Sequence, residues 1–159
     1  MKQIITQKSD ILTLDGNPRG GQLKKDNVYY LIVHCSASNA NSDYTPEQME
    51  CDHRKRGFYT IGYHFYIRKD GTITQHRYLN EVGAHCRNFN SYSIGICYEG
   101  GYDARWQPTD TRTAQQKDAM GRLIGWLREV FDRAKVVGHR DMPGVNKHCP
   151  CFEAELEYN

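Results

Sequence analysis

The stretch that decides the fold is "VYYLIV", Val28–Val33, which runs straight on into "HCSAS". It is a continuous apolar run of β-branched and aromatic residues, the pattern of a strand that is buried on both faces of its sheet. Such a strand needs other elements packed above and below it. The run therefore predicts a central strand of an α/β fold, followed directly by the polar residue His34.

Three further stretches predict strands around this one. The string "IGYHFYIRKDGTITQH" indicates two strands joined by a turn at Asp70-Gly71, a dipeptide typical of hairpins. The string "YSIGICYEGG" indicates another strand, and "AKVVG" a short strand that ends at His139. In "GYHFYI", strict alternation puts Tyr63 and Phe65 on the same face. Tyr63 can then reach a site at the sheet end only from the strand terminus or from a bulge, which Gly62 favours.

Two segments begin like helices. The string "TPEQMECDHRKRG" predicts a helix over residues 46–56, with Thr45 as N-cap and Gln48 closing a capping box. The string "TRTAQQKDAMGRLIGWLREVF" predicts a longer helix, capped in the same way by Thr113 and Gln116. Apolar residues recur along it at the spacing of one helix face, namely Met120, Leu123, Ile124, Leu127 and Phe131.

The order of these elements is β-α-β-β-β-α-β, with a last helix predicted near Phe152. This order predicts a single α/β domain with one central mixed β-sheet flanked by helices. Residues 1–27 are polar and contain several glycines, so we expect an N-terminal arm or edge segment there. The domain proper is then residues 28–159.

Composition excludes several classes of protein. A chain of 159 residues is long enough for one domain with a hydrophobic core. Its net charge of +2 comes from scattered Lys and Arg, unlike the basic patch of a dedicated nucleic-acid binder. No apolar run approaches the roughly 18 to 20 residues of a membrane span, and "MKQIITQKSDILTLDG" lacks the apolar core of a signal peptide. We expect no nucleic-acid binding, no membrane insertion, a cytoplasmic location and reduced cysteines.

Two histidines stand at the ends of predicted strands. His34 follows "YYLIV" and His139 follows "KVVG", and open α/β sheets place their sites at the carboxyl ends of strands. Cys149 lies ten residues beyond His139, in "CPC", which by itself fits half of a disulfide, a redox pair or part of a metal site. Two imidazoles, one thiolate and an open position make a tetrahedral catalytic Zn²⁺ site. The pattern therefore predicts a zinc site at one end of the sheet.

A family resemblance rests on five stretches that occur in the family's order and span most of the chain. They are "VHCSAS" (33–38), "GYHFYIRKDGTI" (62–73), "VGAH" with "NSYSIGI" (82–96), "GHRD" (138–141) and "KHCPCF" (147–152). With them the sequence resembles the zinc-dependent N-acetylmuramoyl-L-alanine amidases of the type 2 amidase family. That family also includes the T-odd phage lysozyme and the peptidoglycan recognition proteins.

The resemblance implies a role for each matching residue. It makes His34, His139 and Cys149 the ligands of a Zn²⁺ cofactor, and Tyr63 and Lys147 the catalytic side chains. The chemistry agrees, because zinc activates water and polarises a carbonyl, while an ammonium and a phenol can donate to the developing oxyanion. "CPC" is then read as a zinc ligand followed by Cys151, which we expect to pack in the core.

The implied substrate contacts are less direct. His85 and Asn90 match positions at the family's substrate groove. The family's usual Gly two residues before Asn90 is Asn88 here, and the loop "RDMPGVN" before Lys147 is slightly longer than in the phage enzyme. His53 and His76 are expected at the surface. Glu99, near the sheet end, could contact substrate or be solvated, and we expect it to be solvated.

The predicted function is hydrolysis of the amide bond between N-acetylmuramic acid and L-alanine of peptidoglycan, by a phage or prophage lysis enzyme that acts on the wall after release or on internalised wall fragments. The alternative is a non-catalytic peptidoglycan-recognition module. Relatives of that kind typically lack the cysteine ligand, which Cys149 supplies here. The T-odd phage lysozyme also binds its phage's RNA polymerase, and no feature of this sequence tests for such a regulatory partner.

Overall fold

A six-stranded mixed β-sheet organises the chain in the computed structural model, which describes residues 1–13 and 17–159. Residues 14–16 of the predicted N-terminal arm lie outside the described residues. The strands are β1 Gln3–Ile5, β2 Tyr30–Cys35, β3 Ser38–Asn39, β4 Phe65–Ile67, β5 Ile73–Gln75, β6 Ser93–Tyr98, β7 Gly101–Tyr102 and β8 Lys135–Gly138. The helices are α1 Pro46–Lys55, α2 Ala114–Val130 and α3 Ala154–Tyr158.

The strand order in the large sheet is β1-β5-β4-β6-β2-β8. Strands β4, β6, β2 and β8 run parallel, whereas β5 is antiparallel to both β4 and β1. This is the mixed sheet that the element order predicted. Beyond the carboxyl ends of β2 and β6, the short strands β3 and β7 pair as a second, two-stranded sheet.

The central strand β2 is covered on both faces, as its apolar run predicted. Leu31 and Val33 pack in the main hydrophobic cluster, which also contains the apolar face of α2. Ile32 points to the other face and packs with Cys86, Val137 and Met142. All three β2 side chains are fully buried. The five predicted apolar residues of α2 are buried too, namely Met120, Leu123, Ile124, Leu127 and Phe131.

Both long helices begin where their caps predicted. At α2 the capping box is complete, since Gln116 N donates to Thr113 Oγ1 at 3.0 Å and Thr113 N donates to Gln116 Oε1 at 2.9 Å. At α1 only half of the predicted box forms. Thr45 Oγ1 accepts from Gln48 N, but the Gln48 side chain donates to Asp52 one turn further on, because an aspartate four residues away offers a charged acceptor on the same helix face.

The central strand begins and ends two residues later than its apolar run indicated. It runs through His34 to Cys35, because β6 continues to pair with it up to the register Cys35–Tyr98. His34 therefore lies inside the strand rather than after it, and its orientation is set by the sheet. At the other edge, β1 pairs with β5, and the boundary between residues 27 and 28 stays a prediction. Across the residues described, every helix is too short or too polar to cross a lipid bilayer.

Candidate metal centre

Three side chains converge beyond the carboxyl ends of β2 and β8. His34, His139 and Cys149 each offer one ligand atom, and these three atoms all lie within 4.8 Å of one another. The ring centroids of the two histidines are 4.5 Å apart. His34 is buried, while His139 and Cys149 are partly exposed. The three residues that the sequence predicted as metal ligands thus form one group that could hold a metal ion.

The sheet register brings the two histidines together. Val33 of β2 lies opposite Gly138 of β8. The residues that follow them, His34 and His139, therefore lie side by side at the carboxyl end of the sheet. Gly138 also lets the loop that carries Cys149 pack against the strand end. A Cβ added at Gly138 would lie 2.7 Å from Pro150 Cδ, so a larger residue there would push this loop away.

Backbone hydrogen bonds hold Cys149 in place. Arg140 N donates to Cys149 O at 2.8 Å, and Cys35 N donates to Cys149 Sγ at 3.2 Å. The backbone N–H of Cys35 thus holds the sulfur of Cys149 against the end of β2. The strand end therefore provides both the first histidine and a donor to the cysteine.

The donor set fits a zinc ion. Burial lowers the pKa of His34 well below its usual range, and the nearby His85, His139 and Lys147 lower it further. An unprotonated nitrogen is what metal coordination requires. Two imidazoles and one thiolate are a ligand set that Zn²⁺ accepts, with one coordination position left for water or substrate.

Tyr63 lies next to His34, with ring centroids 4.9 Å apart. It precedes β4, which begins only at Phe65, so strand alternation does not constrain its direction. Glycine at position 62 lets the segment before Tyr63 pack closely against the loop at Ala84, because a Cβ at Gly62 would lie 2.2 Å from Ala84 O. Burial, and then the neighbouring cysteines, raise the pKa of the Tyr63 hydroxyl well above its usual range. The phenol therefore stays protonated and can donate a hydrogen bond.

Lys147 lies on the exposed loop that leads to Cys149. Its charge is close enough to His34 to contribute to the lowered pKa of that imidazole. Lys147 is thus an exposed cation near the metal group, and its catalytic role stays a prediction.

His85 and Asn90 lie on the other side of His34. His85 Nδ1 is 2.8 Å from His34 Nε2, and Asn90 Oδ1 accepts from His85 N and Cys86 N, each at 2.9 Å. Burial is also the main reason that the pKa of His85 is well below its usual range. The amide of Asn90 orders the loop that carries His85. That His85 and Asn90 contact the substrate stays a prediction.

The expectation that three polar residues lie at the surface is wrong. His53, His76 and Glu99 are all buried. Glu99 accepts from Arg68 Nε at 2.9 Å, and His53 Nδ1 accepts from Gly62 N at 2.9 Å with its ring 5.6 Å from that of Tyr63. Periodicity could have found His53, because it lies four residues after the buried Met49 on the inner face of α1.

Cys151 packs beside the metal group rather than in it. It is half-buried against the main hydrophobic cluster, and its Sγ donates to Gly101 O at 3.4 Å. The prediction that this second cysteine has a packing role agrees with these contacts.

Comparisons with known proteins point to one family. A family model described as N-acetylmuramoyl-L-alanine amidase matches residues 24–152. The endolysin of Enterobacteria phage K11 is 36% identical over 132 residues, which cover 83% of this chain and 86% of that protein. The endolysin of Escherichia phage T7 is 28% identical over 130 residues, with 82% and 85% covered.

Solved structures share the fold. The endolysin amidase LysCS from Clostridium intestinale superposes with a TM-score of 0.71 at 29% identity, covering 92% of this chain and 90% of that one. Bumblebee PGRP-SA gives a TM-score of 0.72 at 20% identity, covering 94% and 90%. The second likeness concerns the fold alone.

Proposed function

The chain belongs to the N-acetylmuramoyl-L-alanine amidase family, and we propose that it cleaves its amide bond with a zinc ion held by His34, His139 and Cys149. The protein is a lytic amidase of the endolysin type that acts on peptidoglycan. The bond cleaved joins N-acetylmuramic acid to L-alanine. The observation that supports zinc is that two imidazole nitrogens and one cysteine sulfur lie within 4.8 Å of one another at the carboxyl end of the sheet.

Each residue of this group has a separate task in the proposal. Zn²⁺ bound there would lower the pKa of a water to about 7 and polarise the scissile carbonyl. His34 is kept unprotonated by burial, so its nitrogen is available at neutral pH. The sulfur of Cys149 is held near the two histidines by the backbone N–H of Cys35, which donates to it at 3.2 Å. His139, which follows the neighbouring strand β8, supplies the remaining protein ligand.

Tyr63 and Lys147 are the proposed catalytic side chains. The Tyr63 hydroxyl remains protonated because burial raises its pKa, so it donates to the negative charge that develops on the carbonyl oxygen. Lys147 brings a cation to the same opening. Removing one such donor typically costs about 2.7 to 4 kcal/mol of transition-state stabilisation.

His85 and Asn90 are proposed to form part of the wall of the substrate groove. The ring of His85 lies 6.4 Å from that of Tyr63, centroid to centroid, and is partly exposed. Asn90 fixes the backbone of that wall through His85 N and Cys86 N. A stem peptide that enters beside Tyr63 would pass these two residues.

The decisive experiment is mass spectrometry of purified peptidoglycan after incubation with the protein, with and without a chelator. We expect release of intact stem peptides with a free N-terminal L-alanine, loss of this release with the chelator, and recovery on adding Zn²⁺. Cleavage that is insensitive to the chelator would contradict the zinc site. Retention of the protein on uncut peptidoglycan would favour the alternative function, a recognition module.

The endolysin relatives support a last part of the proposal, that the enzyme reaches the wall after release from the cytoplasm of the cell that makes it. Cell fractionation before and after lysis tests this. Active enzyme outside intact cells, carried by the ordinary secretion route, would contradict it.

A further inference from the structure

A chain of hydrogen bonds leads from the candidate metal centre into the sheet through His85. His34 Nε2 lies 2.8 Å from His85 Nδ1, and His85 Nε2 lies 3.3 Å from Ser93 Oγ. The hydroxyl of Ser93 donates to Phe89 O at 2.8 Å. One end of this chain is a proposed metal ligand, and the other end is a backbone carbonyl.

The proton positions follow from the carbonyl end. A serine hydroxyl has one proton, and Ser93 donates it to Phe89 O, so Ser93 Oγ accepts from His85 Nε2–H. A neutral imidazole with its proton on Nε2 has its lone pair on Nδ1. His85 Nδ1 is therefore the acceptor, and His34 Nε2 carries the proton that it accepts. With that imidazole also neutral, the lone pair of His34 is left on Nδ1.

We propose that His85 is a positioning residue that fixes the tautomer of His34, so that His34 presents its Nδ1 lone pair to a metal shared with His139 and Cys149. The inference rests on the zinc site of the proposed function. A hydrogen-bond acceptor behind a ligating histidine sets its tautomer and ring orientation and raises its basicity. Here that acceptor is a second histidine, whose own tautomer is set by a serine.

The surroundings of His85 restrict the orientation of its ring. Two glycines make room for it, since a Cβ at Gly95 would lie 2.7 Å from ring atoms of His85, and one at Gly83 would lie 2.8 Å from them. Asn90 Oδ1 holds the backbone N–H of His85. The His85 ring therefore occupies space that side chains at positions 83 and 95 would otherwise fill, and it packs directly against the backbone of Gly83 and Gly95.

The direct test is the tautomer of His34 in metal-free protein. Long-range ¹⁵N–¹H NMR correlations of ¹⁵N-histidine-labelled protein at pH 7.5 report which ring nitrogen carries the proton. We expect His34 and His85 both to be protonated at Nε2. In Ser93→Ala the tautomer of His85 is released, and His34 should become a mixture of both forms. A wild-type His34 protonated at Nδ1 would overturn the proposal.

Zinc affinity gives a second readout, measured by competition with a chromophoric chelator. His85→Leu removes the acceptor, and we expect binding about 10- to 100-fold weaker. His85→Asn keeps an acceptor oxygen near the place of Nδ1 and should recover most of that loss. His53→Leu is the matched control, because it removes a histidine whose contacts are with Gly62, Phe58 and Tyr63. Its zinc affinity should stay unchanged.

The outcomes separate the role of His85 from the zinc site itself. Equal zinc affinity in His85→Leu and wild type, or equal losses in His85→Leu and His85→Asn, would overturn the positioning role while leaving the amidase proposal intact. A wild-type protein that binds no zinc would overturn the proposed zinc site, whereas the NMR tautomer would still test the hydrogen-bond chain. If His85→Leu does not fold, the wild-type tautomer and the Ser93→Ala variant decide.

Discussion

The site has two halves that are held by different physical means. The strand half, His34 and His139, lies at the ends of adjacent parallel strands, where the register Val33–Gly138 sets its geometry. The loop half, Tyr63 and His85, lies on segments before β4 and before β6. Backbone ladders fix the first half. The second depends on individual side-chain hydrogen bonds that reach across the structure.

Buried polar side chains hold the loop half. Arg77 Nε donates to Ile61 O at 2.8 Å, and Arg77 Nη1 donates to Val82 O at 2.9 Å, which ties the two loops together. His64 lies between them and the sheet, with Nδ1 accepting from Gly95 N and Nε2 donating to Glu81 O. The strand half therefore needs only a folded sheet, whereas the loop half also needs the side chains of Arg77 and His64, with His64 neutral.

The largest expected effect comes from removing the cysteine of the metal group. Cys149→Ser should lose tightly bound zinc, and activity should fall about 10³-fold or more, because the metal supplies several kcal/mol to the transition state and each 1.4 kcal/mol is a tenfold change in rate. Zinc content and peptide release measure this. The exposed Cys51 of α1 provides the control, since Cys51→Ser should keep both. Wild-type activity in Cys149→Ser would break the assignment of Cys149 as a metal ligand beside the strand half.

The second-largest expected effect is a loss of folding stability when a residue that holds the loop half is replaced. Arg77→Met should lower the free energy of unfolding by about 2 to 6 kcal/mol, because Ile61 O and Val82 O lose their donor and each buried acceptor left unsatisfied costs about 1 to 3 kcal/mol. Urea denaturation measures it. The exposed pair Arg122–Asp118 offers the control, where Arg122→Met should cost less than about 1 kcal/mol. Similar small losses in both variants would show that Arg77 does not hold the loops.

Tyr63→Phe separates catalysis from metal binding. We expect kcat to fall about 10²- to 10³-fold with zinc content unchanged, because one hydrogen-bond donor to the oxyanion is removed while the strand half stays complete. Single-turnover peptide release and zinc analysis measure both quantities. Tyr29→Phe, at an exposed tyrosine, is the control. An unchanged kcat would remove Tyr63 from the chemistry.

The smallest effect is a pH dependence of the loop half. Burial lowers the pKa of His64 to about 4, below its unfolded value of about 6.5, so the unfolded chain takes up the proton first as the pH falls. The stabilisation is complete above about pH 6.5 and is lost progressively toward pH 4. Between pH 7.5 and pH 5 the loss is about 2 kcal/mol.

Hydrogen exchange at these two pH values locates that loss. Ala84 N donates to Gly62 O between the two loops. After correction for the slower intrinsic exchange at low pH, the protection factor of this amide should be lower at pH 5 than at pH 7.5, while the protection factors of amides inside β2 change less. A His64→Gln variant should show a shallower pH dependence. An equal fall in protection factor at Ala84 and in β2 would mean that the two halves open together.

The elements of the fold could be predicted where periodicity and local chemistry agree. The run at Val28–Val33 became β2, the Asp70-Gly71 turn joined β4 and β5, and the Thr113 cap began α2. Strand ends were less predictable, because β2 extends through His34 only as long as β6 offers a pairing partner. The burial of Glu99 was missed, because its partners Tyr44 and Arg68 lie on distant segments that no local pattern reveals. The burial of His53 was missed although its helical spacing from Met49 indicates it.

By itself, the sequence determined the α/β class, the family and the identity of the three metal-binding candidates. These follow from hydrophobic patterning, which is local, and from short motifs that keep their order along the chain. Only the tertiary structure decided that Tyr63 lies ahead of β4 with its ring beside His34, and that His85 Nδ1 lies 2.8 Å from His34 Nε2. Those contacts depend on the space at Gly83 and Gly95 and on loops crosslinked by Arg77. These side chains are far apart in sequence, and their hydrogen bonds form only once the sheet has brought both loops to the same end.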